Sequence, residues 1–245
     1  MLSAIKVAVQ GMTLQAQKQD QISNNLANMN TTGFKSTALH VSSFEEYLTD
    51  SKGKIGANRN IRADEVFTNY SEGSFKETGN DLDVAIKGSG FFTVLGVDGV
   101  RYTRDGSFSI DNDGFMITKQ GERVFGKDGF IHLELDRGKV TIQDTGDVIQ
   151  DGEKIESLKI SDFNKPYKML KLGNNSFRPK LPNNPVIPSE GYAINQGYLE
   201  MSNVDAITSM TEMISADKAY NAIAKALQSE DSTLDKAVNQ VGRVQ

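Results

Sequence analysis

The sequence predicts an α+β fold in which long N- and C-terminal helices form a coiled-coil-like terminal domain, with a central β-rich domain of antiparallel hairpins between them. Three observations carry this expectation. Apolar residues repeat at steps of three and four near both ends of the chain. Asp-Gly pairs punctuate short β-branched runs in the middle. Prolines recur every third residue where the middle gives way to the C-terminal end.

At the N-terminus, Leu2, Ile5, Val9, Met12 and Ala16 form a narrow stripe that slips and resumes at Ile22, Leu26 and Met29. Gly11 interrupts it at a cost of about 1 kcal/mol relative to alanine, so the helix is not expected to hold alone. Asn28, Met29, Asn30, Thr31, Thr32 and Gly33 tolerate left-handed geometry and bond to their own backbone, which ends the helix. Residues 1–33 are therefore assigned to the terminal helical domain.

Residues 34–198 read as the β-rich domain. Asp-Gly stands at Asp98-Gly99, Asp105-Gly106, Asp113-Gly114, Asp128-Gly129 and Asp151-Gly152, several of them between runs such as FFTVLG, VRYTR, SFSI and FMIT. Each such pair is a hairpin signal. Pro179, Pro182, Pro185 and Pro188 favour a polyproline-II path and exclude a central strand, so 179–188 is expected to be a connector leaving this domain.

Residues 199–245 supply the second helix. Ser202 and Asp205 stand at capping-box spacing, and Met213, Ala216, Tyr220, Ile223, Leu227, Glu230, Leu234, Ala237 and Val241 lie on a heptad seam. Ile207, Met210 and Ile214 add a second apolar strip, and Gly242 is a plausible stop. At about 1.5 Å per residue this helix would reach roughly 55 Å, longer than a domain of this size is wide. Both seams then require another helix, from the same chain or a neighbour.

Composition narrows the chemistry. Absence of cysteine removes disulfides, thiolate metal sites and thiol catalysis. His40 and His132 are too few for a histidine-rich metal cluster. A net charge of −5 provides no basic field for nucleic acid or anionic lipid. Lys6 and Gln10 break the opening run MLSAIKVAVQGM, which is no Sec signal, and no segment is apolar for long enough to span a bilayer. These residues alone imply a cytoplasmic protein unless another export route exists.

Gly121 to Lys127 matches the G-x-x-x-x-G-K spacing of a P-loop, yet Asp128 follows where Ser or Thr should hold Mg²⁺, and a strand-like FIHLEL follows where a helix should begin. A nucleotide-binding enzyme is therefore only a minor alternative. Gly88-Ser89-Gly90 lacks the third glycine of a dinucleotide fingerprint and precedes a strand. Asp111, Asn112, Asp113 and Gly114 fit a hairpin turn better than a calcium loop, because aligning Gly114 with the loop glycine puts Ser109 and Gln120 at the first and last ligand positions. A β-rich binding module merely capped by its helices is a further alternative. No cofactor, metal, nucleic acid or small-molecule substrate is expected.

At both ends and in the middle the chain resembles the bacterial flagellar rod and hook family. The N-terminal match is ISNNLANMNTTGFK from Ile22 to Lys35, an NNLAN helix end followed by an N-T-x-G-F-K turn. DLDVAIKGSGFFTV from Asp81 to Val94 and RYTRDGSFSIDNDG from Arg101 to Gly114 are typical of the family's β domain. GYLEMSNVDAITSMTEMISADKAYNAIAKAL from Gly197 to Leu227 completes the order.

The resemblance implies a non-enzymatic filament subunit whose terminal helices line a tube around a central channel. It implies export without a Sec signal through the flagellar type III apparatus, and residence in the basal body, spanning the periplasm or cell wall. Expected partners are the chain itself, other rod and hook proteins, the export apparatus and the ring proteins around the rod. Hook proteins are usually larger, which favours rod. The segment ADKAYN departs from the Q-R-A-Y-E form usual in distal rod proteins, which favours the proximal rod subunit over the distal one. The expected assembly interface is Leu2, Ile5, Val9, Met12, Ile22, Leu26, Met213, Tyr220, Ile223, Leu227 and Leu234. Asn24, Asn25, Asn28, Gly33 and Phe34 are expected to shape the motif turn.

Overall fold

The computed structural model describes residues 2–49, 55–135, 138–180, 186–188 and 191–241. In chain order the elements are α1 (Leu2–Ala27), β1 (Thr37–Thr49), β2 (Ile55–Thr68), β3 (Phe75–Glu77), β4 (Val84–Lys87), β5 (Phe91–Gly96), β6 (Gly99–Thr103), β7 (Phe108–Ile110), β8 (Met116–Thr118) and β9 (Arg123–Val124). There follow β10 (Val140–Ile142), β11 (Asp147–Gln150), β12 (Glu153–Ser157), β13 (Ile160–Phe163), β14 (Met169–Gly173), β15 (Ser176–Pro179), β16 (Val186–Pro188), β17 (Ala193–Gln196), β18 (Tyr198–Glu200) and α2 (Ala206–Val241). They fall into two units. The first holds Met1–Ala27, Thr37–Asn69 and Asp205–Gln245, and the second holds Asn28–Ser36 and Tyr70–Val204.

In the first unit α1 and α2 pack on each other, and α1 also meets a long antiparallel ribbon of β1 and β2. The ribbon shifts register between His40 and Val41, as a β-bulge does. The expected coiled-coil-like terminal domain is overturned. Helices do stand at both termini, with a large antiparallel β-rich region between, so the class is α+β, but they share their unit with the ribbon and do not form a coiled coil. A coiled coil buries its stripe along the partner helix. Here Ile5 and Val9 of the α1 stripe are 37% and 50% exposed. One residue of α1 that faces α2 is Gly11, where an added Cβ would lie 3.3 Å from Ile223 Cδ1. At roughly 100° per residue, Gly11 lies roughly 130° around the helix from the Ile5–Val9–Met12 stripe.

The second unit is built from local hairpins. Its largest sheet runs β14-β15-β6-β5-β9-β8-β7, with β13 pairing both β5 and β16. Every residue from Phe91 to Val94 is buried, because β5 is covered on both faces. Phe92 and Val94 enter a core with Val84, Ile86, Met116 and Leu158. Phe91 joins Tyr102, Phe163 and Phe177 in a separate aromatic cluster.

The Asp-Gly signals divide into two kinds. Asp151 (φ 51°) and Gly152 (φ 82°) both take left-handed geometry between β11 and β12, as a two-residue type I′ turn requires. Asp105-Gly106 closes no hairpin. A Cβ on Gly106 would sit 1.7 Å from the Val84 carbonyl oxygen, so glycine there permits a close backbone approach.

Both described ends of the proline-rich segment pair in strands. Pro179 ends β15, paired with Met169, and Val186–Pro188 forms an edge strand on β13. An edge tolerates proline because the missing N–H faces away from the ladder. Pro182, Pro185 and Gly242 lie outside the described residues.

Candidate functional site

The start of α2 is set by one side chain. Asp205 Oδ1 accepts the Thr208 N–H at 2.7 Å, and the Asp205 carbonyl accepts the Ser209 N–H at 3.0 Å. Hydrogen bonds from the Thr208 side chain and then from its N–H favour the ionised form and hold the Asp205 carboxyl below its ordinary range. Asp205 is thus the N-cap. Ser202 instead accepts the Val204 N–H, so the helix begins three residues later than a capping box from Ser202 would place it.

From that start, steps of roughly 100° put two apolar strips on opposite faces of α2. Ala216 is buried, and Met213, Tyr220, Ile223 and Leu227 are half-buried on the side that carries the Gly11 contact. On the other side Ile207, Met210 and Ile214 are 77%, 50% and 56% exposed. Sequence reading noted this second strip but left it out of the assembly interface.

In α1, Met12 and Leu26 are half-buried and Ile22 is buried. Ile22 precedes the turn where Asn25 ties the helix end to the ribbon. Its Nδ2 donates to the Thr37 carbonyl at 2.8 Å and its Oδ1 accepts the Thr37 N–H at 3.0 Å. The side-chain amide so imitates a strand neighbour. Asn24 is exposed. The side chains of Leu2 and Leu234 lie outside the described residues.

The motif turn belongs to the second unit. Asn28 accepts the Thr31 N–H on its carbonyl and the Thr31 hydroxyl on Oδ1. Gly33 has φ 66°, and a Cβ there would lie 2.4 Å from the Asp105 backbone nitrogen, so only glycine fits. Its N–H donates to the Glu200 carbonyl at 2.7 Å. Phe34 is buried beneath the Lys171 ammonium, which sits 3.7 Å from the ring centroid and donates to the Lys35 carbonyl at 3.0 Å. Burial lowers the Lys171 pKa to about 8, against the pull of the ring face toward the charged form.

Lys35 closes the motif, and its role was not legible. The side chain is fully buried. Nζ meets Glu200 Oε1 at 2.5 Å and the Ser71 carbonyl at 2.7 Å. Glu200 Oε2 accepts from Arg104 at 3.2 Å, and Oε1 also accepts the Gly73 N–H at 3.1 Å. Arg104 in turn donates to the Ile86 and Gly88 carbonyls and lies over the Phe91 ring. Burial pushes the Lys35 pKa below its ordinary value, while Glu200 pulls it upward. Two cations thus share one buried carboxylate; backbone oxygens take some of the remaining protons, and the buried Arg104 Nε is left without a partner. No local signal marks them, since Lys35 is followed by Ser36 and Arg104 by Asp105-Gly106.

The near-P-loop is committed to the sheet. Gly121 N–H bonds to Thr118 O, Phe125 N–H to Thr93 O, Gly126 N–H to Gly129 O and Lys127 N–H to Ser157 O, so these donors are not free to cradle phosphate. Asp111 Oδ1 accepts the N–H groups of Asp113 and Phe115, as an Asx turn does. No group of three or more metal-ligating side chains occurs among the described residues, and no described helix is long and apolar enough to cross a membrane.

Comparison with known proteins adds three family matches in chain order. Residues 5–35 match the family described as flagella basal body rod protein, 85–150 the flagellar hook protein FlgE/F/G D1 domain, and 195–241 the flagellar basal body rod FlgEFG protein C-terminal region. The chain is 33% identical to the flagellar basal-body rod protein FlgG of Borreliella burgdorferi, covering 98% of each. It is 32% identical to FlgF of Caulobacter vibrioides over 95% of each chain, and 29% identical to FlgF of Rhizobium meliloti over 99% of each.

Proposed function

We propose, from the premise that this chain belongs to the flagellar basal-body rod protein family, that its terminal helices are the elements that join subunit to subunit. The chain is a structural subunit of the rod, resident in the basal body, and it assembles with other rod and hook components. The observation carrying the proposal is the outward strip of Ile207, Met210 and Ile214 on α2, together with exposed Ile5 and Val9 on α1. Fully burying such a side chain from full exposure is worth about 1.5–3 kcal/mol, and covering these five, which are 37–77% exposed, is worth roughly half of that each, enough to favour a cover. Leu2, Met12, Ile22, Leu26, Met213, Tyr220, Ile223, Leu227 and Leu234 complete the proposed interface, some by supporting the helices from within.

The test is the double substitution Ile207→Ser and Ile214→Ser in the full-length protein. Circular dichroism of the purified subunit should be unchanged, while basal bodies isolated from the cells should lack it and motility should be lost. Normal incorporation and swimming would sink the proposal.

Further parts of the reading rest on the family resemblance. Export proceeds through the flagellar type III apparatus, ring proteins surround the assembled rod, and the role involves no catalysis. Engagement of the near-P-loop donors supports the last point, and calorimetry with ATP and Mg²⁺ should show no saturable heat. Both FlgG- and FlgF-named relatives align along the whole chain, so rod position is argued from Ala216–Asn221 alone. That segment favours the proximal rod, which complementation of strains lacking individual rod proteins would test.

A further inference from the structure

We propose that the buried Lys35–Glu200–Arg104 array is a latch that closes last in the second unit and can open without unfolding the core. A ladder of pairings leads to it. Ile194 pairs with Ile86 and Gln196 with Val84, beside the apolar core. Further along the chain, Tyr198 pairs with Glu77 and Glu200 with Phe75. The ladder then ends on polar contacts, from Met201 N–H to Ser74 O, Gly33 N–H to Glu200 O and Ser36 N–H to Asn203 Oδ1.

The two ends of this ladder differ in what holds them. Val84 and Ile86 are completely buried among apolar neighbours, whereas the outer end depends on charge-assisted hydrogen bonds around Glu200. Its partners are also far apart in sequence. Lys35 and Glu200 are separated by 165 residues, Ser36 and Asn203 by 167, and Thr32 and Asn175 by 143. Loop-closure entropy delays such contacts relative to local hairpins, and burying Lys35 before Glu200 arrives would leave an ammonium without its counter-charge. Until then residues 28–36 lack Glu200 and Asn203, which hold Gly33, Lys35 and Ser36, and keep the contacts of Thr32 to Asp105 and Asn175 and of Lys35 to Ser71 and Lys171. Residues 33–36 of the second unit therefore gain their last hydrogen bonds only when Glu200 and Asn203 are in place.

Gly73 provides a way to open the latch without removing a charge, since alanine keeps the N–H that donates to Glu200 Oε1. A Cβ there would lie 1.9 Å from the Met201 carbonyl oxygen, backbone against backbone. The experiment is amide hydrogen exchange on the full-length chain, comparing wild type with Glu200→Gln and Gly73→Ala. Both variants should lose protection at Gly33 and Ser36 by about tenfold or more beyond any loss at Met116 and Phe125, which are bonded to Ile131 and Thr93 in the sheet. Equal loss at all four amides, or no loss at Gly33 and Ser36, would overturn the latch. If either variant fails to fold, pulse labelling during wild-type refolding decides. Protection at Gly33 and Ser36 should follow that at Met116 and Phe125, and simultaneous or earlier protection would refute the proposal.

Discussion

At the scale of single residues, the heaviest energetic demands fall on Lys35, Arg104 and Glu200. Removing one member of a buried charge array strands the others, at a cost of about 3–5 kcal/mol, whereas replacing the whole array with apolar side chains is often neutral. Glu200→Leu alone should therefore shift the denaturant midpoint of the second unit strongly. Combining it with Lys35→Met and Arg104→Met should restore most of the loss, and a triple variant no better than the single one would contradict this account. Lys171 offers a titration. Its folded pKa of about 8 lies below the ordinary lysine value of 10.5, so the unfolded chain holds more protons between those limits. Stability should then rise with pH from about 8 to about 10.5, and Lys171→Met should flatten that rise in pH-dependent melting. Sequence alone marked Gly33 and Asn25 as turn-forming. It gave no means to see that the lysine two residues after Gly33 would be buried, because its partners lie in distant strands.

At the scale of elements, Gly11 is informative. Alanine there gains about 1 kcal/mol of helix propensity and asks only the terminal methyl of Ile223 to move by a few tenths of an ångström. Gly11→Ala should hold or raise the melting temperature, whereas Gly11→Leu should lower it by overpacking, at about 1–3 kcal/mol. Thermal melts followed by helical circular dichroism would check both. Helix positions were legible because three-and-four spacing is local. The coiled coil was not, because periodicity says where apolar side chains lie on a helix and not which face a neighbour takes. Gly11, read only as a defect in the stripe, is a point of contact with Ile223 of α2. The turn at Asp151-Gly152 was legible for the opposite reason, since a type I′ turn is decided by its own two residues. The ribbon of β1 and β2 went unread because TALHVSSFEEYLT does not alternate apolar with polar.

At the scale of the whole molecule, the two opposed strips on α2 separate what stabilises the subunit from what it offers outward. Leu227→Ala, on the half-buried strip, should lower the melting temperature of the isolated protein, whereas Met210→Ser, on the exposed strip, should leave it within about 0.5 kcal/mol. Sedimentation and melting of the two variants side by side would show whether the division holds. Family membership was legible from three motifs because they sit in fixed order along the chain, and the comparisons agree along nearly its full length.

Within the second unit, Asn203 Nδ2 donates to the Ser71 carbonyl at 3.1 Å, so the long segment Tyr70–Val204 starts and finishes at neighbouring residues. A tag spliced in at fully exposed Val97 would leave that closure in place, together with residues 33–36 that bond to it.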